Sequence, residues 1–479
     1  MRLPRGVPFL AAVVTVASLI GPSPVAAAAS DGGGHCARQE RVRVPGAALQ
    51  RSACLDDLTT TGLAGSPYTD MADQAGLTAG GTRTPSGVPG IQVDGYFPDS
   101  SRFNNTHGWR HDAQFVIRLP DHWNGGLVVT GAPGTRKQYA MDKAISDRAL
   151  AQGYAYAATD KGNSGADFYR DGVRPGDAVA EWNARTTQLT RAARRVAAQR
   201  YGHAPRRTYI AGLSNGGYLT RWQLENHPEL YDGGVDWEGA LWTANGPSLL
   251  TSLPVTVARM FGAARDEELY AAGFARGSEF LWPYHEKAYW GLTQKIYRAE
   301  FDPAYDPACP GATAGSTLEE ILAPCRSDAT YDYAERPASV HRAMARVALT
   351  GRIGKPLITL HGDLDALLPK AADSDVYTRM IERRGRGGLH RYYTVGGGTH
   401  VDGLYDTHPD RLRPILPCFR SAFDALTAWV EQGATPPADH TIDRPANGDV
   451  INSCAFTETA GSAETSETLE TAESPETRR

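Results

Sequence analysis

The sequence predicts an α/β fold, with a mostly parallel central sheet flanked by helices and a helical cap inserted into it. Three observations carry this. From Gly126 onward, short apolar runs alternate with longer segments of helical periodicity, as βαβ units require. One apolar run ends in Gly212-Leu213-Ser214-Asn215-Gly216, a G-x-S-x-G sequence standing between a strand-like and a helix-like segment. Residues 247–350 then break the rhythm with a stretch that reads as helical and is dense in aromatic residues.

The chain has 479 residues and a net charge of −5. That length allows one large domain with insertions or two domains. The charge offers no basic surface for nucleic acid. Residues 1–29 read as a signal peptide: Arg2 and Arg5 precede an apolar run over 9–20, then Pro22, Pro24 and an alanine-rich cleavage region at Ala28 or Ala29. The run is short for a bilayer span of about 20 residues. The expected product is secreted and extracellular, without membrane attachment after cleavage. Six cysteines follow the leader, and an even number in an exported chain implies disulfides. Pairing by proximity joins Cys36 with Cys54, Cys309 with Cys325, and Cys418 with Cys454. No C-x-x-C pair occurs, so neither a metal nor any other cofactor is expected.

Residues 30–110 are rich in Gly, Thr, Ser and Pro and read as an irregular N-terminal extension. Within and just after it, 91–96 and 113–119 alternate enough to form antiparallel edge strands. Asn104-Asn105-Thr106 fits a glycosylation sequon. The α/β core is expected over 111–246 and 351–454. Its strands are predicted at 127–130, 154–159, 209–213, 237–244, 355–361 and, last, 389–395. Helices are predicted at 140–152, 177–201, 218–226, about 371–384, and within 411–432. The 247–350 insertion is read as a cap or lid. Most of its aromatics should form its own core, while Phe280, Trp282 and Tyr284 are the candidates for substrate contact. Residues 455–479 hold Thr, Glu, Ser and Ala with almost no large apolar side chains and read as a disordered acidic tail.

A serine hydroxyl is a poor nucleophile until an oriented base takes its proton. Ser214 sits where a strand turns sharply into a helix, so the base and its carboxylate are sought after later strands. His361-Gly362-Asp363-Leu364-Asp365 follows one such strand, with Pro369 four residues on. Of its two acids, Asp365 is the better candidate for the orienting carboxylate and Asp363 for a turn residue; His361 reads as a structural hydrogen-bonding residue. Gly396-Gly397-Gly398-Thr399-His400 follows the next strand, which makes His400 the candidate base. Two backbone N–H groups must face the developing oxyanion. One is expected from Asn215. The other should come from Gly131-Ala132-Pro133-Gly134, where proline has no N–H; Ala132 is preferred over Gly134. Asp160 to Gly165 lies on the same rim, either shaping the pocket or forming only a turn.

These residues resemble the α/β-hydrolase superfamily over 127–432, apart from the cap. The end of the last helix, Phe423 to Gly433 followed by prolines, resembles the secreted tannase and feruloyl esterase group. Gly212 to Gly217 is similar to the serine box of secreted polyester depolymerases and hydroxybutyrate-oligomer hydrolases. Many tannase-type enzymes join cysteines placed beside the serine and histidine. Here Leu213 and Val401 occupy those places. The resemblance implies a serine esterase acting on a bulky or oligomeric ester, small or polymeric, of the hydroxyalkanoate or feruloyl and tannin type. Two other readings stand beside it: a secreted serine peptidase of the same fold, and a catalytically silent binding protein on that scaffold.

Overall fold

The computed structural model describes residues 42–311 and 316–455. The expected leader, Cys36 and the residues of the acidic tail beyond 455 lie outside them.

Ten strands form one twisted sheet. In chain order they are β1 (Leu49–Leu55), β2 (Gly90–Tyr96), β5 (Gln114–Pro120), β6 (Gly126–Gly131), β7 (Ala155–Thr159), β8 (Arg207–Leu213), β9 (Gly233–Trp237), β10 (Leu357–Gly362), β11 (His390–Val395) and β12 (His440–Ile442). Two short strands, β3 (Asn105–Thr106) and β4 (Trp109–Arg110), pair separately as a hairpin. The spatial order is β1-β2-β5-β7-β6-β8-β9-β10-β11-β12. From β7 to β12 all neighbours run parallel; β1, β2 and β5 add an antiparallel edge. The fold is therefore that of an α/β hydrolase. The stretch expected to be largely irregular supplies two long strands of the main sheet.

The parallel strands are buried on both faces, as helix-covered strands must be. Leu127 and Val129 of β6 pack on one side with Leu189 and Val196 of helix Asp177–Tyr201. Val128, between them, packs on the other side with Phe419 and Phe423 of helix Leu416–Gln432. The strand order turns back at β6, which pairs with β7 on one edge and β8 on the other. Ligands bind beyond the carboxyl ends of parallel strands at such a reversal, and β8 is the strand that ends at Ser214.

Two strand assignments need correction. The run 237–244 is not a strand; β9 ends at Trp237. Gly233 and Gly234 resemble loop residues and Asp236 is charged, so the true strand lacks an apolar pattern. Ala240, Leu241 and Trp242 are apolar because they are buried, with the Trp242 ring 4.9 Å from Tyr297 and 5.3 Å from Phe301. Nor is β11 the last strand, since β12 pairs along it. Three residues with one buried side chain leave no readable alternation. The predicted helix over 140–152 is a π-type turn at Asp142–Ser146 running into a short helix, Asp147–Ala151.

Among the described residues of 247–350, every regular element is helical, the longest being Trp290–Phe301. This cap joins the core at defined points. Trp290 Nε1 donates to the carbonyl of Ala366 (2.7 Å), and the Gly176 amide donates to the carbonyl of Glu300 (3.0 Å). Cys309 and Cys325 lie at disulfide distance within the cap, and Cys418 and Cys454 do so across the last helix, with Cα separations of 6.0 and 4.9 Å. Cys54 lies on β1. No helix among the described residues is long and apolar enough to cross a membrane. Asn104 of the sequon is fully buried, its amide donating to Gln138 (2.7 Å) and Asp160 (2.9 Å), so this site is closed to a glycan.

Candidate active site

Ser214 stands between β8 and helix Asn215–Asn226 with φ 59° and ψ −119°. Left-handed backbone is rare for a residue bearing a Cβ and marks a turn held by its surroundings. The Ser214 amide donates to the carbonyl of Trp237 (2.9 Å). A Cβ at Gly212 would meet the backbone of Gly216 at 2.3 Å, and one at Gly216 would meet the carbonyl oxygen of Gly131 at 2.5 Å. Glycine is therefore required on both sides of the serine, as the motif implied.

His400 and Asp365 converge on this serine. His400 Nε2 is 3.1 Å from Ser214 Oγ, and its Nδ1 is 2.8 Å from Asp365 Oδ2. Asp365 is fully buried and His400 nearly so. The other oxygen of Asp365 accepts the amides of Leu367 (2.7 Å) and Leu368 (2.9 Å), which leaves Oδ2 turned to the imidazole. Burial alone would raise the Asp365 pKa, but the neighbouring imidazoles of His400 and His361 hold its carboxyl well below the usual carboxylate range. Asp363 is elsewhere, accepting the amide of Gly397 (2.8 Å), a turn contact. His361 lies between Ser374 Oγ (2.7 Å) and the carbonyl of Leu368 (2.8 Å). Ser374 Oγ also accepts from Arg221, so its own proton is free for His361 Nδ1, and His361 Nε2 donates to Leu368.

The His400 loop is anchored by Asp402, which accepts the amides of Ile415 (2.7 Å) and Leu416 (2.9 Å) at the head of the last helix. Burial pushes the Asp402 carboxyl up to about 7. A carboxyl with its folded pKa above its unfolded value of about 3.9 is protonated preferentially in the folded state. The stability it contributes is complete below pH ~4 and is lost as pH rises through ~7. The D402N variant cannot ionise, so its urea midpoint should fall less than that of the parent between pH ~5 and ~8. An equal fall in both would contradict this.

The expected oxyanion donors fare differently. The Ala132 amide donates to the carbonyl of Thr159 (3.1 Å), so it is already engaged and the preference for it is corrected. β6 and β7 continue their ladder one step further than the sequence suggested. Asn215 begins its helix, and its side chain donates to the carbonyl of Gly134 (3.1 Å) and to the Tyr297 hydroxyl of the cap (2.7 Å). It thereby ties the serine turn to the loop after β6 and to the cap. Asp160 forms a buried turn, accepting the amides of Gly162 (2.9 Å) and Gln114 (3.0 Å), and the same loop supports the β6 loop through Gly165 N to Thr135 O (2.8 Å).

Of the expected contact residues, Trp282 is enclosed in the cap's core, with its ring 5.7 Å from Tyr270 and 6.2 Å from Trp290. Phe280 packs against His408 (4.9 Å) and under the guanidinium of Arg411 (3.6 Å). Tyr284 is half-buried, its ring 5.7 Å from Tyr289 and 5.5 Å from His285.

Two residues were missed. His285 is buried and stacked on Trp290 (6.0 Å), and neither ring nitrogen has a hydrogen-bond partner. Burial lowers its pKa to about 4, the charge of Asp365 acting against this. Glu238, just after β9, is fully buried with Oε2 3.5 Å from His400 Nδ1. His285 adjoins the aromatic cluster already singled out. Glu238 was hidden because the strand before it was placed too late. Glu238, His361 and Asp365 each offer a ligand atom within 4.8 Å of the others. Asp365 and Glu238 face the His400 imidazole, and His361 is held by Ser374 and Leu368.

A family profile described as tannase and feruloyl esterase matches residues 104–239, from the β3 hairpin through the serine turn to Gly239. Mono(2-hydroxyethyl) terephthalate hydrolase from Piscinibacter sakaiensis is 27% identical over 139 residues. That alignment covers 26% of this chain and 23% of the relative, so the chain spans under a quarter of that protein's length. Among solved structures, feruloyl esterase B from Aspergillus oryzae matches at 14% identity and a TM-score of 0.45, over 75% of this chain and 86% of that one. Tannin acyl hydrolase from Aspergillus niger matches at 15% identity and a TM-score of 0.41, over 80% and 89%.

Proposed function

We propose that this α/β hydrolase is a carboxylic ester hydrolase, secreted, that uses Ser214 as nucleophile, His400 as base and Asp365 as orienting acid. One observation carries the reading: the unbroken contact from Ser214 Oγ through His400 to Asp365, at 3.1 and 2.8 Å. Asp365 accepts from Nδ1, which leaves Nε2 unprotonated toward the serine. Ser214 Oγ attacks the ester carbonyl while Nε2 takes its proton. The imidazolium returns that proton to the departing alkoxide, leaving an acyl-enzyme. Water, deprotonated by the same nitrogen, attacks the acyl carbonyl, and the acid is released as Ser214 is reprotonated. The Asn215 amide is one oxyanion donor. With Ala132 engaged, Gly134 is the second; the Asn215 side chain fixes this loop from the carbonyl side of Gly134 (3.1 Å).

The substrate class we favour is an ester of an aromatic carboxylic acid. The profile match and the curated relative are named for feruloyl, tannin and terephthalate esters. The cap supports this with Tyr284 and with His285, a buried, neutral imidazole with no protein partner. Leaving such a group unpaired costs about 1–3 kcal/mol, which a substrate hydroxyl or carboxylate would recover. The test is a panel of feruloyl, galloyl and terephthaloyl monoesters, hydroxybutyrate oligomers, short acyl esters and aminoacyl anilides. The highest kcat/KM is expected on an aromatic acyl ester. Preference for the hydroxybutyrate oligomers would move the substrate class, and preference for the anilides would replace the esterase reading with the peptidase one.

A further inference from the structure

The scheme above leaves one buried acid unused. Glu238 follows β9 with φ 49°, a left-handed conformation that costs a residue with a Cβ about 1 kcal/mol or more. The fold maintains it: the Glu238 amide donates to the carbonyl of Leu360 (2.9 Å), and its Oε1 accepts the amide of Gly362 (2.7 Å). These two bonds hold the carboxyl against β10, the strand that precedes Asp365. Oε2 has no hydrogen-bond partner and lies 3.5 Å from His400 Nδ1. Two carboxyl groups on different strand ends thus face the same ring nitrogen, one at 2.8 Å and the other at 3.5 Å.

We propose that Glu238 is a second positioning acid for His400, able to hold the Nδ1–H when Asp365 cannot. This rests on the Ser214, His400 and Asp365 reading above. Around Glu238 the charged groups are Asp365, Asp402 and Asp236, with His400 and His361 as the titratable rings. Burial, and after it the charge of Asp365, raises the Glu238 pKa well above the ordinary range. With Asp365 ionised, Glu238 therefore keeps its proton, on Oε2, because Oε1 already accepts from Gly362. Removal of Asp365 removes the nearest negative charge. Burial still opposes the Glu238 charge, so the Nδ1–H bond must offset it: the Glu238 proton leaves to solvent and Oε2 accepts the Nδ1–H as a carboxylate.

The experiment is a double-mutant cycle on the full chain: parent, E238Q, D365A and D365A/E238Q, with kcat/KM measured on a short acyl nitrophenyl ester. E238Q should cost a few-fold when Asp365 is present. D365A should lose about 10²-fold, and the double variant about 10⁴-fold, the loss expected for a triad without its acid. A purely structural Glu238 predicts the same cost for E238Q in both backgrounds, and that additivity would overturn the proposal. So would a D365A variant already as inactive as the double variant. D365N, which keeps an acceptor for Leu367 and Leu368, repeats the cycle if D365A fails to fold. A parent without ester hydrolysis would instead refute the esterase reading, so the two failures are distinguishable.

Discussion

S214A is expected to lower kcat by about 10⁶-fold, with KM changed little. What remains should be the ~10³–10⁴-fold acceleration over water that oxyanion donors and binding supply by themselves. The expectation follows from the site's construction. Ser214 carries a hydroxyl in contact with His400 Nε2, and its left-handed backbone directs it there. Alanine tolerates that backbone no worse than serine does, so the variant should fold with parental stability. Full loss of activity with an unchanged urea midpoint would separate chemistry from folding. Retention of more than about 1% of parental kcat would remove Ser214 from the nucleophile's role.

The largest effect on stability is expected at Arg221, in the helix that follows the serine. Its fully buried guanidinium donates to Asp236 of β9 (2.6 Å), Asp373 (2.8 Å) and Ser374 (2.7 Å). Asp236 also accepts the Gly239 amide (2.7 Å) and Thr359 Oγ1 (3.1 Å), while Asp373 accepts the amide of Leu241 (2.7 Å). One cation thus joins the serine's helix, β9, β10 and helix Ser374–Arg383, and through Ser374 it fixes His361 beside Asp365. R221M fills the volume but leaves two acids buried without their cation, and breaking such a pair costs about 3–5 kcal/mol. The urea midpoint should drop accordingly, and raising the pH should deepen the loss, because Asp236, whose pKa burial raises, then ionises without its cation. A loss below about 1 kcal/mol would show that the acids are stabilised independently of Arg221.

The sequence was most legible where chemistry follows strands. Ser214, Asp365 and His400, whose side chains the fold brings together, could be singled out because each ends or follows an apolar run, and glycines mark the sharp turns around them. Helix Asp177–Tyr201 was readable to the residue because a long amphipathic segment ends at glycine. Legibility failed where burial and polarity conflict. β9 contains Asp236, whose charge is neutralised by Arg221 from a different element, a pairing only the fold reveals. Misplacing β9 in turn hid Glu238. Ala132 looked available as an oxyanion donor because the β6–β7 ladder was read one residue short. Trp282, chosen from an aromatic cluster, lies in the cap core, and its neighbour His285 is buried against Trp290. Aromatic density indicates a packed cap, but it does not tell an inward ring from one that lines a cleft.

The central claim is that Ser214 is a nucleophile activated by His400. The most direct measurement is labelling of the parent chain with an alkyl fluorophosphonate, followed by mass mapping of the modified peptide. One label per chain is expected, on the peptide that contains Ser214, with labelling absent in S214A and slowed by orders of magnitude in H400A. No labelling of the parent, or a label on any other residue, would contradict the account.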